Sequence, residues 1–174
     1  ALARYGSAVW NLRRERLLTA ARQLEGVAKA DPEAAEPRRE LARLYAQLGR
    51  EPQAIRVARQ ALEIDPTDHD TAALLARLLA DAGEMKEAAA AAKVVIESKS
   101  LPDRPGKAVR LYREMASICE KAGEMAAAEA ALRKAVELVA DKRAEVVKAL
   151  AFTPKEADAE AAGAVEQLGH VLVK

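Results

Sequence analysis

The sequence predicts an all-α protein built from stacked antiparallel helix pairs, and three observations carry this prediction. Alanine, the strongest helix former, makes up about a quarter of the 174 residues. Aromatic residues make up only 3%, so helices must pack through small side chains. A glycine-centred pattern also recurs three times, as "QLGREPQA" at 47–54, "DAGEMKEA" at 81–88 and "KAGEMAAA" at 121–128. A recurring segment of this kind is typical of helical repeat arrays.

Fixed offsets around the three glycines define the repeat. The first two glycines are 34 residues apart, and the third follows after 40 residues, which is one period plus an insertion. An alanine lies seven residues before each glycine, and another lies five residues after it. We predict that these nine positions are the structural positions of three repeats: Ala42, Gly49, Ala54, Ala76, Gly83, Ala88, Ala116, Gly123 and Ala128.

Each repeat is predicted to contain two helices joined by a tight turn. In the first copy, apolar residues from Leu41 onward follow helical spacing. Gly49 comes next, where a helix end favours a left-handed residue, and glycine adopts that conformation at little steric cost. The second helix carries Ala54 and ends before Pro66. Because Ala42 and Ala54 are small, the first and second helices of the repeat can approach closely.

Two stretches interrupt the period. The segment "KSLPDRPGKA" at 99–108 contains two prolines and a glycine, which predicts a loop before the third repeat. Residues 141–161 predict a short helix, a Thr-Pro break marked by Phe152 and Pro154, and the approach to a last helix.

The N-terminal flank contains part of an earlier copy. The stretch "RRERLLTAARQLEGVAKADP" lies one 34-residue period before the second helix of the first full copy. The matched positions are Ala20, Leu24, Val27 and Pro32 against Ala54, Ala58, Ala61 and Pro66. We predict a second helix here, preceded by a degenerate first helix, "ALARYGSAVW", that lacks the turn glycine.

The C-terminal flank resembles the start of a further copy. In "VEQLGHVLVK" at 165–174, three positions match the first helix of the first full copy. The matched positions are Leu168, Gly169 and Leu172 against Leu41, Ala42 and Tyr45. A repeat cannot bury its apolar face alone. We therefore expect that this helix belongs to a truncated repeat, and the alternative is that it acts as a solvating cap.

A 34-residue helix-turn-helix with small residues, glycine and proline at these places resembles the tetratricopeptide repeat family. The best copy carries Ala42, Tyr45, Gly49, Ala54, Ala61 and Pro66. The resemblance implies a right-handed superhelix of stacked helix pairs, an α-solenoid whose first helices line a concave surface. It implies a degenerate unit at 1–34, repeats at 35–68, 69–102 and 103–142, and an insertion helix with the first helix of a truncated unit at 143–174.

Composition excludes several broad classes of function. The chain has 28 basic and 27 acidic residues, and its net charge of +1 is too small to attract it to nucleic acid or to an anionic membrane. One cysteine cannot form a disulfide framework within the chain. No apolar run approaches the roughly 18 residues of a membrane span, and no signal-peptide layout is visible. The compartment is not predicted, and the preference for alanine and arginine hints at a bacterial source.

Catalytic and metal-binding signatures are missing from the sequence. The eight glycines are isolated, so they form no phosphate-cradling loop, and no His-Cys cluster has metal-ligand spacing. We therefore predict no catalytic residue, no metal and no cofactor. Cys119 is predicted to be a buried packing residue and His69 a solvated residue at a helix start. His170 is predicted to be a surface residue, with a place in a groove as the alternative.

One set of residues is a candidate binding site. On the first helix of each repeat, the face away from the alanine column carries Arg39, Arg43, Arg77, Arg110 and Arg113. The planar guanidinium group matches a carboxylate with two parallel hydrogen bonds. Such a row could hold an acidic peptide or a C-terminal carboxylate. The alternative is an ordinary charged face that keeps the protein in solution.

We therefore predict a protein–protein interaction scaffold or adaptor that binds a protein or peptide partner, and not an enzyme. Some tetratricopeptide proteins clamp carboxylates with Lys and Asn, but the matching positions here lack asparagine, so the resemblance does not extend to that activity. The main alternative is a self-assembly module that oligomerises through the ends of the array. Nucleic-acid binding through the arginines is disfavoured by the balanced charge, and a catalytic domain could lie outside this segment.

Overall fold

The computed structural model describes residues 2–142, residue 145 and residues 154–173, with side chains described from residue 14 onward and, in the last helix, at residue 159 and residues 162–173. Apart from short connections, these residues are helical, which confirms the all-α class. The described elements are α1 (Leu2–Ala30), α2 (Ala35–Gln47), α3 (Glu51–Ile64), α4 (His69–Asp81), α5 (Met85–Glu97), a 3-10 turn (Leu101–Asp103), α6 (Pro105–Lys121), α7 (Met125–Asp141) and α8 (Pro154–Val173).

The first compact unit, residues 1–66, contains α1, α2 and α3. Helix α2 packs against both of the others. The Tyr45 hydroxyl on α2 donates a hydrogen bond to the Glu25 carboxylate on α1. The Arg38 guanidinium on α2 donates to the backbone oxygen of Ala28 on α1, 3.1 Å away. Because that oxygen lies in the last turn of α1, Arg38 satisfies a carbonyl group that the helix itself leaves unpaired.

The second compact unit, residues 67–174, contains α4 to α8. Successive helices pack against each other, and the first helices α4 and α6 also contact directly. Lys134 on α7 donates to the backbone oxygen of Ile96 at the end of α5, 2.5 Å away. The same ammonium group lies 5.9 Å from the ring centroid of Tyr112 on α6. One cation therefore stabilises the negative end of α5 and contacts an aromatic face on α6.

The three turn glycines have the same backbone geometry. Their φ angles are +69° at Gly49, +82° at Gly83 and +81° at Gly123, in the left-handed region. In the third turn, the Gly123 N–H donates to the Glu120 oxygen at 3.0 Å and the Glu124 N–H donates to the Cys119 oxygen at 2.8 Å. The other two turns have the equivalent pair of bonds. This is a Schellman motif, which satisfies the last carbonyl groups of each first helix.

The alanines of the repeat pattern pack the first helix of each pair against the second. Six of them have no measurable solvent exposure: Ala42, Ala54, Ala76, Ala88, Ala116 and Ala128. Because these methyl groups are closed off from solvent, a larger side chain would have to displace neighbouring atoms. Overpacking of this kind typically costs about 1–3 kcal/mol.

A side-chain cap fixes the start of the second unit. Asp68 precedes α4, and its carboxylate accepts a hydrogen bond from the Asp70 N–H at 3.1 Å and one from the Thr71 hydroxyl. Thr71 is the buried polar side chain among the described residues, at 2% exposure. The cap therefore satisfies a helix-terminal donor and a buried hydroxyl together.

The N-terminal flank differs from the prediction of two helices. Residues 2–30 form one continuous helix of 29 residues. The stretch between residues 7 and 25 contains neither glycine nor proline, so nothing in it ends a helix. The missing turn glycine is therefore the physical reason for the difference.

The segment at 99–108 is more ordered than the predicted loop. It contains the 3-10 turn, and Leu101 is completely buried. Helix α6 already begins at Pro105, because proline is favoured in the first turn of a helix, where its missing N–H costs nothing. The same preference explains why α8 begins at Pro154. The short helix predicted before it, except for residues 141, 142 and 145, lies outside the described residues, and so does Phe152 at the predicted break.

Candidate binding surface

Arg39 and Arg43 lie one turn apart on α2 and both form ion pairs within the first unit. Arg39 pairs with Glu36 at 3.2 Å and with Asp65, which follows α3. Arg43 pairs with Glu40 at 2.5 Å and keeps nearly half of its side chain exposed. Arg39 therefore connects α2 to the end of α3, whereas Arg43 is the more accessible of the two cations.

Arg77 on α4 forms a two-point pair with Glu114 on α6. Its Nη1 atom lies 3.3 Å from Oε1 and 3.1 Å from Oε2 of that carboxylate. Both side chains are about a third to a half exposed. Exposed pairs of this kind contribute about 0–1 kcal/mol, because water competes for both groups. The pair thus joins two first helices through a contact that water reaches.

Arg110 and Arg113 lie on α6, one exposed and one half-buried. The Arg113 guanidinium rests directly on the backbone of Gly163 in α8. A Cβ atom added at Gly163 would lie 3.1 Å from Nη2 of Arg113, closer than ordinary van der Waals contact. The absence of a side chain at this position therefore allows the Arg113 guanidinium to approach α8 closely.

Arg113 borders an open depression of about 650 Å³. We call it the Arg113 depression, and its lining includes Arg113, Gly163, Glu166, Gln167, His170 and Val173. It offers a guanidinium group and an amide as hydrogen-bond donors, an imidazole, one carboxylate and one apolar wall. A ligand with a carboxylate beside a short apolar group would match this arrangement chemically.

The two histidines have different surroundings. His170 is exposed, as predicted for a surface residue, and it also borders the Arg113 depression. His69 is mostly buried, with 15% of its side chain exposed, and the prediction of a solvated residue is wrong. Its Nδ1 atom lies 3.2 Å from the Ser98 hydroxyl, because the segment after α5 folds back over the start of α4.

Lys107 on α6 belongs to a polar cluster with His69, Asp70 and Ser98. Its ammonium group pairs with Asp70, and the Asp70 carboxylate lies 3.6 Å from Nε2 of His69. The cluster thus joins the start of α4, the segment after α5 and the start of α6. We assign it a structural role, which is to hold the 3-10 turn in place.

Cys119 is completely buried, as the sequence predicts. Burial raises the pKa of its thiol, with a smaller opposing effect from Lys93. Because the thiolate is the reactive form, the raised pKa makes Cys119 a poor nucleophile near neutral pH. Among the residues that the structure describes, no group of three or more His, Cys, Asp or Glu side chains could hold a metal ion.

The sequence did not predict the groups that surround the arginines. Asp65 and Glu114 were not identified as ion-pair partners, and Gly163 and Gln167 were not identified as part of a site. Glu114 is 37 residues from Arg77, and no local pattern signals such a pairing. A glycine inside a helix was the available signal for Gly163, because glycine costs about 1 kcal/mol there and is retained where close approach is needed.

Paired helices, left-handed glycine turns and fully buried alanine contacts define a helical repeat protein. The chain contains tetratricopeptide repeats: models of the tetratricopeptide repeat family match residues 35–78 and residues 109–141. The family resemblance predicted from the residue pattern is therefore confirmed. No curated protein sequence matches the chain.

Solved structures of repeat proteins share the fold. MamA from Desulfovibrio magneticus aligns with a TM-score of 0.57 and 20% identity, over 97% of this chain and 90% of that one. PilF from Pseudomonas aeruginosa gives a TM-score of 0.58 and 17% identity, over 94% and 72%. A kinesin light chain protein with tetratricopeptide-like repeats from Podospora anserina gives 0.57 and 20%, over 98% and 93%. At these identities the likeness shows the fold alone.

The family supports a general class of function. Tetratricopeptide repeats are protein-interaction scaffolds, and the family is generally non-catalytic. Across the described residues, no helix is both long and apolar enough to cross a membrane.

Proposed function

We propose that this protein is a scaffold that binds an acidic peptide segment of a partner protein, with the first helices of the second unit as the binding surface. The observation that carries the proposal is the position of Arg113, whose guanidinium group lies against Gly163 and borders an open depression. The helix supports the guanidinium group from behind, so less side-chain freedom is lost when a ligand binds.

Arg77 and Arg110 extend this surface along α4 and α6. Arg77 already holds a carboxylate, that of Glu114, with two hydrogen bonds. A partner carboxylate can replace it, because one exposed ion pair is exchanged for another at little net cost. Within the first unit, Arg39 and Arg43 are candidates for a separate contact, and Arg43 is the more accessible of these two.

The surface favours modest affinity with strong dependence on charge. Its lining includes one apolar wall residue, Val173, so a deep aromatic anchor has no matching pocket. Exposed ion pairs mainly raise the association rate and weaken with ionic strength. We therefore expect binding that weakens steeply between low and physiological salt.

A displayed library of random peptides tests the proposal before any partner has been identified. Peptides selected on the wild-type chain should be enriched in Asp and Glu. The best of them should bind Arg113→Ala at least about tenfold more weakly, which corresponds to roughly one lost charge-assisted hydrogen bond.

A matched control uses an arginine on a second helix. Arg133 on α7 is exposed and pairs with Glu129 one turn away, like the candidate arginines. Arg133→Ala should leave the affinity of the same peptide unchanged. Selected peptides without acidic enrichment, or equal losses in the Arg113 and Arg133 variants, would contradict the proposed binding surface.

A further inference from the structure

The first unit contains a cavity of its own, between α1, α2 and the turn that follows α2. Its volume is about 220 Å³. We call it the Tyr45 cavity, and its lining includes Leu18, Ala21, Arg22, Glu25, Tyr45 and Arg50. Sites for drug-sized ligands typically enclose about 300–1,000 Å³. The Tyr45 cavity therefore has the size for a small molecule, and not for an extended peptide.

The acidic and basic groups of this lining do not pair with each other. Tyr45 is only 4% exposed, and its hydroxyl donates a hydrogen bond to the Glu25 carboxylate. Arg22 and Arg50 are exposed, and no ion pair joins either of them to another residue that the structure describes. Glu25 therefore satisfies a buried phenol group, while both guanidinium groups keep hydrogen-bond donors for a ligand.

The equivalent junction in the second unit is closed by an ion pair. Two repeats further along the chain, Lys93 stands at the position of Glu25. Glu124 stands there at the position of Arg50, directly after its turn glycine. The Nζ atom of Lys93 lies 2.9 Å from Oε2 of Glu124. At the Tyr45 cavity the signs of the two charges are reversed, but the carboxylate is bonded to the phenol instead, so the basic side of the junction stays open.

The charge at the Tyr45 cavity matches a dianion. The lining carries two guanidinium groups and one carboxylate. Burial and the Glu25 carboxylate raise the pKa of the Tyr45 hydroxyl. The charges of Arg50 and of Arg56 on α3 act in the opposite direction, so Arg56 adds a third positive charge close by. A phosphate monoester carries about −1.5 to −2 charges at neutral pH, and its three terminal oxygens match the planar fork of a guanidinium group.

We propose that the Tyr45 cavity binds a small phosphate monoester, whose phosphate group is held by Arg22 and Arg50. A carboxylate offers one charge and two oxygens, which is less than two guanidinium groups can bind. Leu18 and Ala21 provide the apolar part of the lining, which suits a short carbon chain beside the phosphate. All of these residues belong to the first unit, so the proposal is independent of the peptide surface on the second unit.

Titration of the isotope-labelled full chain with glycerol phosphate, followed by nuclear magnetic resonance at constant ionic strength, tests the proposal. The Nε–H signals of Arg22 and Arg50 should shift and saturate in the millimolar range. Arg22→Gln and Arg50→Gln should each weaken binding at least about tenfold, which corresponds to roughly one lost charge-assisted hydrogen bond. Arg16→Gln should leave the affinity unchanged, because Arg16 is exposed on the same helix as Arg22 but outside the cavity lining. All three sites are exposed, so helicity and melting should match the wild type.

Glu25→Gln tests the same site in the opposite direction. The amide oxygen can still accept the hydrogen bond from the Tyr45 hydroxyl, but the negative charge that repels the ligand is gone, so binding should become about two- to tenfold tighter. Acetate should bind more weakly than glycerol phosphate, and a phosphoserine peptide should bind no more tightly. The absence of a saturable shift at Arg22 and Arg50, equal losses in the Arg16 and Arg22 variants, weaker binding by Glu25→Gln, equal binding of acetate, or tighter binding of the phosphopeptide would each overturn the proposal.

Discussion

At the scale of single residues, backbone conformation and burial decide what each position tolerates. The turn glycines have positive φ angles, and their surroundings leave open space for a methyl group. Their requirement for glycine is therefore conformational and not steric. Buried Cys119 and Tyr112 are constrained in a different way, because burial disfavours their charged forms.

Replacing a turn glycine with alanine should destabilise the protein. Gly123→Ala forces a residue with a Cβ into the left-handed region and should lower the free energy of unfolding by about 1–2 kcal/mol. Gly26→Ala is the matched control, because Gly26 is exposed inside α1, also has open space, and should gain up to about 1 kcal/mol from higher helix propensity. Urea denaturation compares both variants with the wild type. Equal effects of the two substitutions would exclude a conformational role for Gly123.

Alkaline pH should destabilise the fold, because a buried thiol and two buried phenol groups ionise less readily in the folded chain than in the unfolded chain. Burial raises the pKa of Cys119 and of Tyr112, and burial together with the Glu25 carboxylate raises the pKa of Tyr45. The folded chain then holds these protons at pH values at which the unfolded chain has lost them. Stability is therefore complete below the unfolded pKa values and decreases above about pH 8.5, where free thiols ionise.

Denaturation as a function of pH measures this effect. In Cys119→Ala, the free energy of unfolding should no longer show the decrease that begins near the thiol pKa. Its value at neutral pH will also change, because the substitution alters packing. The comparison is thus made on the slope with pH and not on absolute stability. An unchanged slope in the variant would show that the thiol does not contribute.

At the scale of helices, capping and ion pairs connect elements that lie far apart in sequence. The Asp68 cap begins α4, and the Arg77–Glu114 pair joins α4 to α6. The three glycine turns of the repeats were predictable from sequence, because glycine acts on its near neighbours, whereas the continuous α1 and the start of α6 at Pro105 were not predicted. The ion-pair partners were not predictable, since residues 37 positions apart meet only after the helices pack.

Removal of the Asp68 cap should destabilise the second unit. Asp68→Ala leaves the Asp70 N–H and the buried Thr71 hydroxyl without the carboxylate that accepts from them, at a cost of about 1–2 kcal/mol. Asp68→Asn keeps a side-chain oxygen at the cap and should retain most of the stability. Thermal melting followed by circular dichroism distinguishes the two. Equal melting temperatures for Asp68→Ala and the wild type would show that the cap is dispensable.

Neutralising Glu114 should strengthen the binding of acidic peptides. Glu114 occupies the Arg77 guanidinium and repels a partner carboxylate, so Glu114→Gln removes both effects. We expect about two- to tenfold tighter binding, in the range of one exposed charge pair. Fluorescence anisotropy with a labelled acidic peptide measures the change. Weaker binding in this variant would mean that Glu114, and not Arg77, contacts the peptide.

At the scale of the whole molecule, the net charge is near neutral although the charges are unevenly distributed along the chain. The chain carries +1 overall, yet its first and last described helices carry +4 and −3. Net charge alone therefore argued against long-range attraction to nucleic acid but could not indicate that basic and acidic residues are concentrated in different helices. The repeat class followed from sequence because its pattern recurs three times, whereas the Arg113 depression needs α6 and α8 folded together.

Of the five arginines predicted from sequence as candidate binding residues, the structure makes Arg113 the strongest candidate. Arg39, Arg43 and Arg77 hold carboxylates of the protein itself. Arg113 lies against Gly163 and borders an open depression. The central claim is therefore that Arg113 receives an acidic group of the bound peptide.

A double-mutant cycle tests this claim most directly. Each acidic residue of a selected peptide is changed to its amide, and the affinity of each peptide is measured for the wild type and for Arg113→Ala. The account predicts one acidic residue whose loss weakens wild-type binding about tenfold but has little effect on the variant, because the two changes remove the same contact. Fully additive losses for every acidic residue would contradict it and place the peptide away from Arg113.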